Sequence, residues 1–134
     1  FVMTGHSLGG GLAQVVAASI DNISAVVWSA PGVAYSAKLF GVEVQAVKRS
    51  VVNVVPDHDV VPNVDLQAGT LQHIECRDKS GKEGSFLNCH SLVKTACEVW
   101  RVCGDDRDFR RSCSSTVNPT DLGRLFSMDD YIGN

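Results

Sequence analysis

Gly5-His6-Ser7-Leu8-Gly9 holds a serine between two glycines at the spacing G-x-S-x-G. An apolar run, Phe1-Val2-Met3, precedes it, and a helix-forming run, Leu12-Ala13-Gln14-Val15-Val16-Ala17-Ala18, follows. Strand, tight turn and helix in that order are the surroundings in which such a serine stands exposed at a strand's end as a nucleophile. The turn strains the serine backbone. Gly5 and Gly9 are expected to be small so that strand and helix can approach closely enough for it. The backbone N–H of Leu8 is then expected to point at a developing oxyanion, and the helix N-terminus adds a favourable dipole at the same spot.

A serine hydroxyl needs a base within hydrogen-bond reach, and that base needs an acid to orient it. On parallel sheets that carry this kind of serine, the acid and then the histidine follow it along the chain. The sequence offers that order: Ser7, an acid near residue 59, then His90. Asp57 and Asp59 compete for the acid's role, since both follow the same β-branched run. The other histidines have plainer readings. His6 is expected to point away from the Ser7 oxygen and to pack. His58 reads as a surface-loop residue and His73 as a half-exposed strand position.

The elements that must carry these groups alternate. Ser24-Ala25-Val26-Val27-Trp28-Ser29-Ala30 is nearly continuously apolar and predicts a strand buried on both faces, ended by Pro31-Gly32. Residues 34 to 47 predict a helix, weakened at Gly41 by about 1 kcal/mol relative to Ala. Ser50 to Val55 is rich in β-branched residues and predicts a third strand, stopped by Pro56 before the polar loop Asp57 to Pro62. Thr70 to Cys76 alternates polar and apolar and predicts an outer strand. Asp78 to Gly84 reads as a charged surface turn. His90 to Val102 predicts a helix with Leu92, Val93, Ala96, Val99 and Trp100 on one face. A polar loop from Gly104 to Ser115 and a short helix around Leu122 to Phe126 complete the expectation. The alternation is that of an α/β fold with a parallel sheet, in which ligands gather at the carboxyl ends of strands.

Composition excludes several classes. At 134 residues, 44% hydrophobic and 20% charged, the chain suits one globular domain. The formal net charge of −3 and the lack of a Lys/Arg cluster give no support for nucleic acid or an anionic membrane surface. The apolar runs are too short for a transmembrane segment. Of the five cysteines, Cys76, Cys89, Cys97, Cys103 and Cys113, none forms C-x-x-C, and Cys89-His90 lacks partners at zinc spacing, so no metal site and no cofactor are expected. Disulfides in an oxidising compartment are expected instead; Cys76–Cys89 and Cys97–Cys103 are candidate pairs that spacing does not decide, and the odd count leaves one thiol free or paired with a cysteine outside residues 1–134. Phe1-Val2-Met3-Thr4 reads as the end of a buried strand. Residues 1–134 are therefore expected to be one partial domain, truncated at its N-terminus.

Gly5-His6-Ser7-Leu8-Gly9-Gly10, together with Asp59-Val60-Val61-Pro62 after a β-branched strand, resembles the class 3 lipase family over roughly residues 1 to 104. That family places its catalytic aspartate before a short apolar pair and a proline, which maps onto Asp59 rather than Asp57. Its histidine follows later at the start of a helix or loop, which maps onto His90. Two departures stand out: Ser91-Leu92 follow the histidine where many members carry an aromatic residue, and Gly11 replaces a usual alanine. The cysteines resemble a secreted branch of the family, implying a secreted or endomembrane-lumen location. The resemblance implies a partial α/β-hydrolase fold and a triacylglycerol lipase working through Ser7, Asp59 and His90 on a lipid or other ester at a lipid–water interface. A second oxyanion donor and any lid are expected upstream. The same residues also fit a phospholipase, an acyltransferase, a feruloyl-type esterase or, without the second donor, an inactive fragment; a peptidase fits poorly.

Overall fold

The computed structural model describes residues 1–77, 82–103 and 113. Its elements are β1 (Val2–His6), α1 (Ser7–Ser19), β2 (Ser24–Trp28), a 3-10 helix Ala37–Phe40, α2 (Val44–Ser50), β3 (Val51–Pro56), a 3-10 turn Val61–Asn63, β4 (Thr70–Ile74), α3 (Phe86–Cys89) and α4 (Leu92–Cys103). The four strands form one sheet in the order β1-β2-β3-β4, every pair parallel. The chain is therefore of the α/β class. Because all strands run the same way, residues that follow β1 and β3 emerge at the same edge of the sheet. Ser7 follows β1 directly, and Asp57 to Pro62 follow β3.

The core is made of small side chains. Ala13, Ala17, Ala25, Val27, Ala30, Val33, Ala37, Val42, Val47 and Val51 form one buried cluster. α1 lies on β1 and β2 and reaches α2. It buries Gly10, Gly11, Ala13, Gln14 and Ala17, and nothing larger than Gln14. Leu8, Leu12 and Val16 of the helix and Ile20 at its C-terminal cap, each four residues apart, are exposed, while Val15 packs against the core cluster. The helix therefore sits close to the sheet. A Cβ at Gly10 would lie 2.6 Å from the Ala30 Cβ and 3.0 Å from the Gly5 carbonyl oxygen. Gly9, expected to be small for the same reason, is different, since a Cβ there meets nothing within 4 Å. Gly11 is intermediate, since a Cβ there would lie 3.1 Å from the Pro31 Cγ.

Four expectations change. The single helix over 34 to 47 is two pieces, because Gly41 adopts a left-handed φ of 68° and caps the 3-10 helix with its N–H on the Ala37 and Lys38 carbonyls. α2 then runs to Ser50, so β3 begins at Val51. β2 is buried at Ala25 and Val27 but only half-buried at Val26 and Trp28, so one face of the strand is closed rather than both. The helix expected from His90 begins at Leu92. Among its described side chains, the buried ones are the polar Thr95 and Glu98 rather than the apolar face. Glu98 is held by Lys94 Nζ at 2.8 Å, Arg101 Nε at 2.9 Å and the Arg77 backbone N–H at 3.3 Å. Burial pushes its pKa up, but these donors outweigh burial and hold it below the usual value. β4 is the outer strand the alternation implies, exposed along most of its length. The loop at 104 to 115, apart from Cys113, and the helix around 122 to 126 lie outside the described residues.

The close approach of α1 predicts opposite outcomes for adjacent glycines. Gly10→Ala should destabilise the fold by about 1–3 kcal/mol, as overpacking does. Gly9→Ala should leave stability unchanged or raise it by up to about 1 kcal/mol through helix propensity. Thermal unfolding of the two variants side by side measures this, and equal losses would contradict it.

Candidate active site

Ser7 owes its position to the junction of β1 and α1. It takes a left-handed φ of 55°, a conformation that costs a non-glycine residue about 1–3 kcal/mol. The turn is tight enough that a Cβ at Gly5 would lie 2.4 Å from the Gly9 carbonyl oxygen. Gly5 is thus the elbow glycine that sterics require. Leu8 is the second residue of α1, so its backbone N–H is one of the first four of the helix, which have no partner within it.

Asp57 and Asp59 separate at the turn after β3. His58 between them takes a left-handed φ of 67°, and the Asp59 N–H donates to the Pro56 carbonyl at 3.2 Å. The reversal sends the two carboxylates to different surroundings. Asp59 is 4% exposed, and its Oδ1 accepts the Val61 backbone N–H at 3.0 Å. Asp57 is exposed and faces His73 Nδ1 at 3.8 Å. The strand beneath this turn is tied to the neighbouring strand end by Asn53, which is fully buried in β3. Its side chain donates to the Ala30 carbonyl at 2.8 Å and to Gln67 Oε1 at 3.1 Å. Gln67 in turn donates to the carbonyls of Ala30 and Pro62, at 3.0 and 2.8 Å. Gln14 of α1 donates to the Pro31 carbonyl at 2.8 Å. The loop ends after β2 and β3 are therefore pinned by the buried amides of Asn53 and Gln14 and the half-buried amide of Gln67, each bonded to backbone.

His90 arrives from the far end of the chain, at the C-terminal cap of α3 rather than at a helix start. Its Nε2 lies 2.9 Å from Ser7 Oγ, and its Nδ1 lies 3.1 Å from both oxygens of Asp59. The carboxylate can only accept, so Nδ1–H donates to it. Nε2 is then free to accept the serine O–H. Ser7, Asp59 and His90 are thus brought into one hydrogen-bonded line, half-shielded at the imidazole and closed at the carboxylate. His58 and His73 lie elsewhere, beside Glu83 at 3.7 Å and Asp57. A cavity of about 630 Å³ opens on that other side, lined in part by Asp57, His58, Glu75 and Arg77.

A disulfide holds the residue before His90. Cys89 pairs with Cys76, two residues beyond β4, across a sequence separation of 13. Both are buried, and Gly84 passes so close that a Cβ there would lie 2.7 Å from Cys89 Sγ and 2.9 Å from Cys76 Sγ. Cys97 pairs with Cys113, not with Cys103. The reason is helical geometry: Cys97 and Cys103 share α4, and six residues rise about 9 Å along an α-helix, beyond the reach of a disulfide.

Sequence reasoning missed the surroundings of His6. Its Nε2 lies 2.9 Å from the His90 carbonyl oxygen, and the two rings are 4.9 Å apart at an interplanar angle of 37°. It packs, as expected of it, but on the histidine itself. No sequence signal marks this, because the contact depends on where the chain returns after 84 residues. Burial lowers the His6 pKa and the charge of His90 adds to this. The bond to the His90 carbonyl and the charge of Asp59 raise it, but the net direction is down.

Among the described residues, no group of three His, Cys, Asp or Glu side chains could hold a metal ion, and no helix is long and apolar enough to cross a membrane. The Cys76–Cys89 bridge generates a prediction. Replacing both cysteines with serine should lower stability by about 3 kcal/mol, the loop-closure value for a loop of this length. Chemical denaturation of the variant against the parent reads this, and an unchanged midpoint would show that the bridge constrains nothing. Compared with known proteins, the chain matches no family model and no curated protein.

Proposed function

We propose that this chain is a serine carboxylic ester hydrolase with an α/β-hydrolase-type site, and that its substrate is a triacylglycerol or similar lipid ester. The single observation that carries the reading is the hydrogen-bonded line from Ser7 Oγ through His90 to the buried Asp59, at 2.9 and 3.1 Å. Those are hydrogen-bond distances suited to proton transfer from serine to imidazole.

The chemistry follows from the atoms. Ser7 Oγ attacks the ester carbonyl carbon as its proton passes to His90 Nε2. The carbonyl electron pair moves to oxygen, and the Leu8 N–H at the start of α1 stabilises that oxyanion together with a second donor. Asp59 fixes the Nδ1–H tautomer and stabilises the imidazolium without taking its proton. Collapse of the tetrahedral species expels the alkoxide, which leaves as an alcohol with the proton from His90. Water then gives a proton to His90 and attacks the acyl-serine, releasing the acid and restoring Ser7. Nothing in these steps calls for a cofactor.

Two further points support a lipid ester. Leu8 beside Ser7, Val60 beside Asp59, and Phe86 and Leu87 in the short helix that ends at His90 are all exposed. Each candidate residue thus has an apolar neighbour available to an acyl chain or a lipid–water interface. The resemblance of the elbow and the Asp59-Val60-Val61-Pro62 run to class 3 lipases points the same way. The disulfides suit an oxidising compartment, secreted or lumenal.

Ser7→Ala, Asp59→Asn or His90→Ala should each lower kcat by about 10⁴. Asp57→Asn should cost less than about tenfold, because its carboxylate faces His73 instead. Hydrolysis of p-nitrophenyl esters of increasing chain length, with fluorophosphonate labelling of Ser7 alongside, measures these effects. A collapse in Asp57→Asn with Asp59→Asn intact would reverse the choice of acid. Preference for short, soluble esters would replace lipase with esterase. A folded chain that neither labels nor hydrolyses any ester would remove the hydrolase reading.

A further inference from the structure

His90 follows the shortest element of those that carry the three candidate residues. Ser7 follows a strand directly, and Asp59 is held by backbone bonds just beyond another. His90 caps a four-residue helix, and the next helix begins two residues later. Its own backbone N–H is bonded locally, to the Phe86 carbonyl at 3.1 Å. The Cys76–Cys89 bridge ties the preceding residue to the β4 side of the sheet. On the β1 side, the main chain of His90 is met by the imidazole of His6.

We propose that His6 is a positioning residue for His90: its Nε2–H holds the His90 carbonyl, and its ring supports the His90 ring, so that the base stays in register with the neighbouring Ser7. The proposal rests on the hydrolase reading above for its kinetic consequence, though not for the contact itself.

The atoms fix how His6 must act. The His90 carbonyl oxygen can only accept, so His6 Nε2 carries a hydrogen whatever the charge of the ring. His6 is the residue immediately before Ser7. Its bond therefore joins the base's own backbone to the nucleophile's immediate neighbour, and two short links, His6 to the His90 carbonyl and His90 Nε2 to Ser7, brace one geometry. The charged or titratable groups that act on His6 are His90 and Asp59. Burial lowers the pKa of His6, which favours an uncharged ring beside His90. A shift of about 1 Å in a base can cost about 10²-fold in rate, which sets the scale of the effect.

Two variants separate the donor from the ring. His6→Phe keeps an aromatic ring and removes the N–H. His6→Gln loses the ring and keeps an amide N–H that can reach the same carbonyl. We expect His6→Phe to lower kcat by about 10- to 100-fold with KM changed by less than about threefold, and to slow fluorophosphonate labelling in the same proportion. His6→Gln should recover most of that loss. A measurement independent of turnover runs beside them. In nitrogen-15 NMR of the unmodified protein at pH 7, His6 should be the Nε2–H tautomer. The Nδ1–H proton of His90 bound to Asp59 should be visible in the parent and in His6→Gln and broadened by exchange in His6→Phe.

A His6 found as the Nδ1–H tautomer overturns the proposal even if His6→Phe fails to fold. So does a folded His6→Phe with parental kcat and an unchanged His90 signal, or equal losses in the Phe and Gln variants. Failure of the parent to label or hydrolyse esters overturns the hydrolase reading instead, and the NMR arm still decides the role of His6.

Discussion

The distance between α1 and the sheet is the constraint on which the rest of the structure depends. A helix that packs through Gly10, Ala13 and Ala17 against Ala25, Val27 and Ala30 can come closer than one that packs through leucines. That closeness permits the abrupt change from β1 to α1 without a connecting loop, and so forces Ser7 into its left-handed backbone. Strain of this kind persists only where surrounding packing over-determines it. Here the determinants are the Gly5–Gly9 backbone contact beneath the turn and the Gly10–Ala30 contact beside it. The same choice sends the bulky residues of α1 outward. Leu8, Leu12, Val16 and Ile20 are exposed, since the face that meets the sheet most closely carries Gly10, Ala13 and Ala17.

The sheet then sets two of the three candidate residues, and additional devices set the third. Parallel strands deliver Ser7 and Asp59 to a common edge, Ser7 directly after β1 and Asp59 through the left-handed turn at His58 after β3. Their fine placement comes from polar groups that are all bonded: Asn53 and Gln67 under the strand ends, and the Val61 N–H on the carboxylate. His90 has no strand beneath it. It is held by a covalent bridge at the residue before it, an imidazole on its carbonyl and a carboxylate on its ring. A buried aspartate with one backbone donor and one imidazole donor is satisfied. Asp57, exposed to water two residues away, has no such need.

Much of this is legible in residue pattern, and the parts that are not share a cause. The G-x-S-x-G turn, the β-branched strand before Asp57 and the outer strand are local signals, and each element is present, with β3 at Val51–Pro56 rather than Ser50–Val55 and β4 ending at Ile74 rather than Cys76. Cys76 and Cys89, 13 residues apart, are also within reach of simple spacing. The choice of Asp59 over Asp57 has no local physical signal and comes from resemblance; in the structure the two differ by burial, which depends on a left-handed turn at His58. Gly41 is visible in the sequence as a weakness in a helix, whereas its positive φ makes it a break. Cys97–Cys103 fails because spacing in sequence takes no account of the rise of the helix that carries both residues. The outward stripe of α1, the polar buried side of α4 and the contact of His6 with His90 depend on which elements meet in space, and periodicity alone carries no such information.

The strand order has a consequence for how the chain reaches this state. Each strand pairs with the next one in sequence, and the register partners Val2 and Ser24, Ala25 and Val51, Val52 and Thr70 are 22, 26 and 18 residues apart. A sheet of that kind can grow in the order in which it is synthesised, one neighbour at a time, with only modest loops to close. The meeting of His90 with His6 and Ser7 spans 84 and 83 residues and waits on all of it. The contact on which the proposed chemistry turns is thus far longer in range than any of the strand pairings: a chain whose sheet had formed before α3 docked would carry its serine and have nothing to abstract its proton.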